Sequence, residues 1–317
     1  MRSLIAIGEA LIDFIPKEKG VTLSQVNYFE RHLGGAPTNV ATAYAMLGGE
    51  SKVLTKLGLD AFGDYIISSL KSKKVDTSLI LRTDKANTSL AFVSLDQNGD
   101  RDFAFYRKPG SDMLIDKEEL KEEYFCNNIL HFCSVDLVEC PTKYAHKAAI
   151  EYTKKSSGIV SFDPNLRFPL WDSKIELKNT VLEFVSFADI IKVSGDEVEF
   201  LTDNSDIIRG AKILLNKGAK LLLLTLGADG AMAMTKDFLV KFSGYKVDKV
   251  VDTTGAGDIF IGSFLYYFEK NALDINNLKE DMLKKALQFA CKASALSVAV
   301  KGANFDSKKL LEFSEGL

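Results

Sequence analysis

The residues most able to do chemistry lie in VDTTGAGD, from Val251 to Asp258, which runs directly into the apolar stretch IFIGSFLYYF. Amides at a helix start have no intrahelical acceptor and sit at the positive end of the helix dipole. A loop of Gly255, Ala256 and Gly257 therefore lets an anion, a phosphate above all, approach the backbone. Asp258 closes the loop with a carboxylate. The same residues also suit an ordinary tight turn with Asp258 as the helix cap, and this stretch alone leaves both readings open.

Further polar residues follow short apolar runs: Glu9 and Asp13, then Asp163, Asn165 and Arg167, then Lys192, Ser194 and Glu197, with the turn TLGADG from Thr225 to Gly230. A carboxylate accepts from two hydroxyls and a primary amide both accepts and donates, so Asp13 and Asn39 suit vicinal hydroxyls. A solvated loop acid and a polar residue in a helix's first turn are the plainer readings of that pair. Gly34 and Gly35 allow either a close ligand or a plain turn. Neither G-x-x-x-x-G-K-[ST] nor G-x-G-x-x-G occurs, which speaks against a P-loop enzyme and a dinucleotide-dependent dehydrogenase. Four cysteines and three histidines show no metal-ligand spacing, and the cysteines read as buried free thiols.

The elements that must carry these residues alternate. Apolar runs such as LIAIGEA, NILHFC, IVSFDP, DIIKVS and LLLLTLG are continuously hydrophobic, as strands of a parallel sheet covered on both faces are. Helical patterns separate them, ending with ALQFACKASALSVAV as the expected last helix. An α/β sheet binds ligands beyond the carboxyl ends of its strands, where the polar residues above fall. Two β-rich segments interrupt the alternation, one around Gly20 and one from Thr88 to Arg107 with Asn98-Gly99 as a hairpin turn. They are expected to form a small sheet over the site, giving a lid of residues 14–33 and 87–108 on a discontinuous main domain of residues 1–13, 34–86 and 109–317. The alternative is that both simply extend the main sheet.

Composition bounds the partners. With 317 residues, 46% hydrophobic and 26% charged, the chain has the profile of a globular protein, and a net charge of −3 offers no basic surplus for nucleic acid or anionic membrane. Glu9 and Asp13 interrupt the first apolar run, and no run approaches the ~20 residues of a membrane span, so a cytoplasmic chain is expected.

DTTGAGD at Asp252 to Asp258 and HLGGAPTNVA at His32 to Ala41 together resemble the two signatures of the ribokinase-like, or PfkB, carbohydrate kinases. GEALIDFIP, FYRKPGSDMLI and FDPNLRFPLW look most like the fructokinase branch. The resemblance implies an α/β three-layer sandwich with a mostly parallel central sheet and a β-sheet lid. It also implies ATP and Mg²⁺ as cofactors and a small sugar as partner, while exposed lid strand edges would offer one route to a homodimer through the lid. By resemblance Asp258 is the general base, and the amides of Gly255, Ala256 and Gly257 form the anion hole. Asp13, Gly35, Asn39, Phe103, Arg107 and Arg167 are then substrate contacts, a structural ion pair being the other reading of Arg167. Lys192, Ser194, Thr225, Gly227, Gly230, Cys291 and Ser294 fall on the nucleotide side. Glu197 would act on Mg²⁺ through water, although Ser194 departs from the asparagine of the family's N-x-x-E element. Asp252, Thr254, Ala299 and Gly302 are the candidate K⁺ ligands, with bracing of the loop as the other role for Asp252. Fructose phosphorylated at its 6-hydroxyl is the acceptor this branch implies. Aminoimidazole riboside or another ribonucleoside, 2-keto-3-deoxygluconate, and a non-catalytic sugar-binding regulator are the rivals.

Overall fold

The computed structural model describes residues 1–18, 20–95 and 101–316, and only the backbone of residues 95 and 101–103. In chain order the first elements are β1 (Leu4–Ile7), β2 (Leu11–Pro16), β3 (Phe29–Gly34), α1 (Ala36–Met46), β4 (Ser51–Gly58) and α2 (Ala61–Ser72). Next come β5 (Ile80–Thr83), β6 (Leu90–Leu95), β7 (Arg101–Tyr106), β8 (Ile129–Cys133), α3 (Pro141–Lys155), β9 (Ile159–Asp163) and α4 (Lys174–Val185). The remainder runs β10 (Ile190–Ser194), α5 (Gly195–Thr202), α6 (Ile207–Leu215), β11 (Leu221–Thr225), β12 (Ala231–Met234), β13 (Leu239–Phe242), α7 (Ala256–Lys270), α8 (Glu280–Ser297) and α9 (Ser307–Ser314).

Nine strands form the central sheet in the order β13-β12-β11-β10-β9-β8-β1-β4-β5. It is parallel from β5 to β11, and β12 and β13 add an antiparallel edge. Successive strand residues point to opposite faces. Leu221 and Leu223 thus join one core with Phe264, Phe268 and Phe289, while Leu222 and Leu224 join the other with Phe132, Phe162 and Phe184. Helix α7 is buried from Asp258 to Glu269, and an all-round apolar helix belongs in such a place, here in contact with both α1 and α8.

The other four strands form a separate sheet, β3-β2-β6-β7, so the two β-rich segments do not extend the central one. Leu11, Asp13, Ile15, Val93 and Phe105 share its inner face, toward the strand ends of the main sheet. On the outer face Phe14 stacks on Phe92 at 4.8 Å and meets Phe62 of α2. The expected boundary at residue 13/14 falls within β2 (Leu11–Pro16).

Other expectations change as well. The chain continues past α8 into α9, whose start is capped by Asp306 accepting from Lys309 N, so ALQFACKASALSVAV is not the last helix. Cys126 is exposed, because it lies in the loop after Phe125 rather than in β8; the other three cysteines are buried, and all four are free. The Asn98-Gly99 turn lies outside the described residues. No described helix is long and apolar enough to cross a membrane.

Candidate active site

A cleft of about 310 Å³ opens at the carboxyl ends of β1, β9 and β10, between the helix starts of α1 and α7 and the inner face of the small sheet. It brings together Glu9, Asp13, Gly35, Asn39, Asn165, Arg167, Lys192 and the loop from Thr253 to Asp258. A larger crevice of about 990 Å³ lies at the opposite strand ends, among Arg2, Lys154, Asp189 and Lys220. None of the clustered loop residues reaches it, so the smaller cleft is the candidate site.

The two glycine pairs have separate physical reasons. Gly35 holds φ 105°, and a Cβ there would lie 2.4 Å from the Glu9 carbonyl oxygen. A Cβ on Gly34 would lie 2.3 Å from Asp13 Oδ2, so the missing side chain makes room for that carboxylate. Gly255 caps α7 with φ 68°, and a Cβ on Gly257 would come within 2.9 Å of Lys192 Nζ. Among the described residues, neither the Gly255 nor the Gly257 amide donates to a backbone carbonyl, whereas Ala256 N turns back to Thr253 O at 3.3 Å. The loop therefore presents free amides with a buried ammonium beside them, an arrangement suited to a multiply charged anion.

Asp258 is buried at the first turn of α7 and is not the capping residue. Its Oδ2 accepts from Asn39 Nδ2 at 2.9 Å and its Oδ1 from Asn165 Nδ2 at 3.2 Å. Burial raises its pKa above the ordinary aspartate value, while the Asn39 amide and the charges of Lys192 and Arg167 pull the other way. Lys192 Nζ donates to Asp163 Oδ2 at 3.0 Å. Burial alone would lower the ammonium's value, but Asp163 and Glu197 outweigh it and hold Lys192 cationic. Burial lifts Asp163 to about 7, and its Oδ1 has no hydrogen-bond partner. Glu9, also lifted to about 7 by burial, accepts from Ala36 N at 2.9 Å and thereby caps α1.

The structure separates the remaining candidates. Asp13 and Arg167 line the cleft. Arg107 does not: it is 5% exposed and ion-paired to Asp112 at 2.7 Å and to Asp136, because the root of β7 turns inward there. Phe103 pairs with Val93 in β6, and its side chain lies outside the described residues. Ser194 and Glu197 form a capping box at α5, with Glu197 Oε2 accepting from Ser194 N at 2.8 Å and Oε1 from Leu166 N at 3.0 Å. Thr225 and Gly227 border a second groove of about 660 Å³ that also includes Ser194, Asp229, Met232 and Lys241. Gly227 has open space at its Cβ position, which fits a nucleotide-sized ligand. Gly230, in contrast, is required by packing, since a Cβ would lie 2.0 Å from the Phe242 carbonyl oxygen. Neither Cys291 nor Ser294 lines that groove; Cys291 packs in the core, and Ser294 sits on α8 and accepts from Ser297 through its carbonyl.

Three of the four cation candidates, Asp252, Thr254 and Gly302, are joined by hydrogen bonds. Asp252 accepts from Thr254 N and from Gly302 N, both at 2.9 Å, which braces the anion loop and joins the expected residues. Carboxylate and carbonyl oxygens keep further lone pairs in such bonds, so the set fits a monovalent cation. Glu197, with both oxygens already accepting amides, fits an outer-sphere role toward Mg²⁺ rather than direct ligation.

Asn165 stands among the polar residues that the sequence places after the strands, but no role was expected for it. Its signal is position: it stands two residues beyond β9, where ligand-facing residues of a parallel sheet collect. The apolar wall of Leu11, Ile15, Val93, Phe105 and Val135 carries no local signal of any kind.

Comparison with known proteins places this geometry in a class. The pfkB family carbohydrate kinase profile matches residues 1–310. Probable fructokinase-2 of Arabidopsis thaliana is 41% identical over 304 residues, covering 95% of this chain and 91% of that one. A double mutant of fructokinase from Vibrio cholerae O395, in fructose, ADP and potassium ion bound form, superposes with TM-score 0.88 at 33% identity, over 99% of this chain and 98% of that one. Aminoimidazole riboside kinase from Salmonella enterica, complexed with aminoimidazole riboside and an ATP analog, gives 0.85 at 28% identity over 98% and 99%. The chain belongs to the pfkB family of carbohydrate kinases. It is an ATP-dependent sugar kinase with a ribokinase-like fold.

Proposed function

We propose that this kinase is a fructokinase that transfers the γ-phosphoryl group of ATP to the 6-hydroxyl of D-fructose. The observation that carries the reading is the Asp258 carboxylate, held by two amides beside the open Gly255 and Gly257 amides. Asp13, Gly35, Asn39 and Arg167 contact the sugar in this reading, against the apolar wall. A cleft of about 310 Å³ is at the small end of ligand pockets, which suits a monosaccharide better than a nucleoside.

Asp258 takes the proton of the 6-hydroxyl as the new O–P bond forms and the bond to ADP breaks. The amides of Gly255, Ala256 and Gly257, with the Lys192 ammonium beside them, neutralise the phosphoryl oxygens in transit. ATP lies along the groove of Thr225 and Gly227. Glu197, through water, would hold Mg²⁺ on the protein side, and the metal would supply charge neutralisation to the ATP phosphates. K⁺ at Asp252, Thr254, Ala299 and Gly302 would stiffen the loop; an unchanged rate when a large organic cation replaces K⁺ would remove it. The small sheet acts as a lid that excludes water. Its exposed Tyr28 and Tyr106 and its open strand edges support pairing of two lids in a homodimer, which a sedimentation measurement would decide. Four free thiols support a cytoplasmic setting.

ADP release with Mg-ATP and K⁺, compared across D-fructose, ribose, 2-keto-3-deoxygluconate and aminoimidazole riboside, tests the acceptor. Turnover on one of the others alone would move the chain to that branch.

A further inference from the structure

We propose that Asn165 is a positioning residue for the proton acceptor, forming with Asn39 a two-amide clamp on the Asp258 carboxylate. The inference rests on the reading above, in which Asp258 receives the hydroxyl proton.

The clamp is assembled from distant parts of the chain. Asn39 comes from the first turn of α1, 219 residues from Asp258, and Asn165 from the exit of β9, 93 residues away. Each amide serves a different oxygen, at 2.9 Å and 3.2 Å, so the plane of the carboxylate is fixed at two points. Asn165 adopts φ 46°, a left-handed conformation that asparagine tolerates better than most residues. It lines the cleft with Asn39 and Asp258.

A side-chain amide N–H donates more strongly to a carboxylate oxygen than to a protonated carboxyl, so each donor favours the charged form that a base must start from. Burial works in the opposite direction at Asp258. The other charged and titratable groups facing it divide: Lys192 and Arg167 favour the anion, and Glu197 and Asp163 oppose it, with the buried Cys133 thiol also within electrostatic reach. The positive groups are placed for other work, Lys192 on Asp163 and Arg167 Nη1 on the carbonyls of Asn165 and Leu166. Among the described residues, the Asn39 and Asn165 amides hydrogen-bond directly to Asp258. Each oxygen keeps a lone pair for the incoming hydroxyl.

The test replaces Asn165 with leucine, which has similar volume and no donor, and separately with aspartate, which adds a like charge. Two readouts are taken: the acid limb of kcat/KM for fructose, and the infrared titration of the Asp258 carboxyl, isolated as the difference between each chain and its Asp258→Asn counterpart. Loss of one hydrogen bond to a charged group should move both upward by about one pH unit in Asn165→Leu, and further in Asn165→Asp. KM for Mg-ATP should stay within about twofold of the parent, a change of about 0.7 RT. Asn165→Ala gives the same reading if the leucine chain does not fold. A carboxyl titration unchanged in folded variants would overturn the clamp, whatever happens to turnover. Full turnover by Asp258→Asn would overturn the base assignment instead, and the infrared titration would still decide the clamp.

Discussion

The two walls of the cleft are built in opposite ways. On one side, the loop from Asp252 to Asp258 feeds α7, which is buried for twelve residues from Asp258 to Glu269 and packed against α1 and α8. On the other, the small sheet is a single layer whose β2 and β3 residues are mostly half-buried and whose outer face carries Phe14, Phe29, Phe92 and the 65% exposed Tyr106. Groups that must meet a transferring phosphoryl within a fraction of an ångström stand on the first wall. Groups that only need to enclose a sugar stand on the second, where few buried contacts resist movement. In the proposed reading, proton transfer and charge neutralisation belong to the fixed wall, and access to the thin one.

The largest expected effect comes from the fixed wall. Asp258→Asn should lower kcat by about 10²–10⁴-fold while leaving the melting temperature near that of the parent, as read by ADP release and a thermal scan. Phe264→Ala strikes the same wall from behind and should cost about 3–5 kcal/mol in a denaturant titration, because the ring is fully buried in the core under α7. On the thin wall, Phe92→Ala should cost far less, about 1–2 kcal/mol, since the ring is half-buried and loses its stack on Phe14. It should raise KM for the sugar more than it lowers kcat. Equal stability losses at the two sites would erase the distinction between the walls.

The most gradual effect is on pH dependence. Glu9 has its pKa raised to about 7 in the folded chain, above the 4.5 of an unperturbed glutamate. Between those values the folded state holds more protons than the unfolded one, so stability declines as pH rises through this window. The ceiling for one such group is about 3 kcal/mol, and Glu9→Gln should flatten that decline in unfolding curves collected from pH 4.5 to 7.

The same contrast governs what could be read from the sequence. The fixed wall was legible because its chemistry is local: Gly255 needs φ 68°, Gly257 leaves room for Lys192, and Asp258 follows in the helix's first turn, all within four residues. The parallel strands were legible from runs such as LLLLT, buried on both faces. Arg107 misled because an arginine at the root of a lid strand looks the same whether it faces a ligand or a pair of buried carboxylates; Asp136, its partner, lies 29 residues away. Asn165 is decided by the same kind of distant pairing. The antiparallel strands β12 and β13 escaped notice because they are only four residues each, and α9 because a short amphipathic helix after a long one carries little periodicity.

The measurement that bears most directly on the division between the walls is single-turnover phosphorylation of D-fructose by the parent chain and by Asp258→Asn, at saturating sugar and Mg-ATP. A rate on fructose in the parent, reduced by about 10²-fold or more in the variant with sugar affinity retained, is the result this account predicts. A variant that phosphorylates fructose at the parent rate, or that loses only its affinity for the sugar, would contradict it.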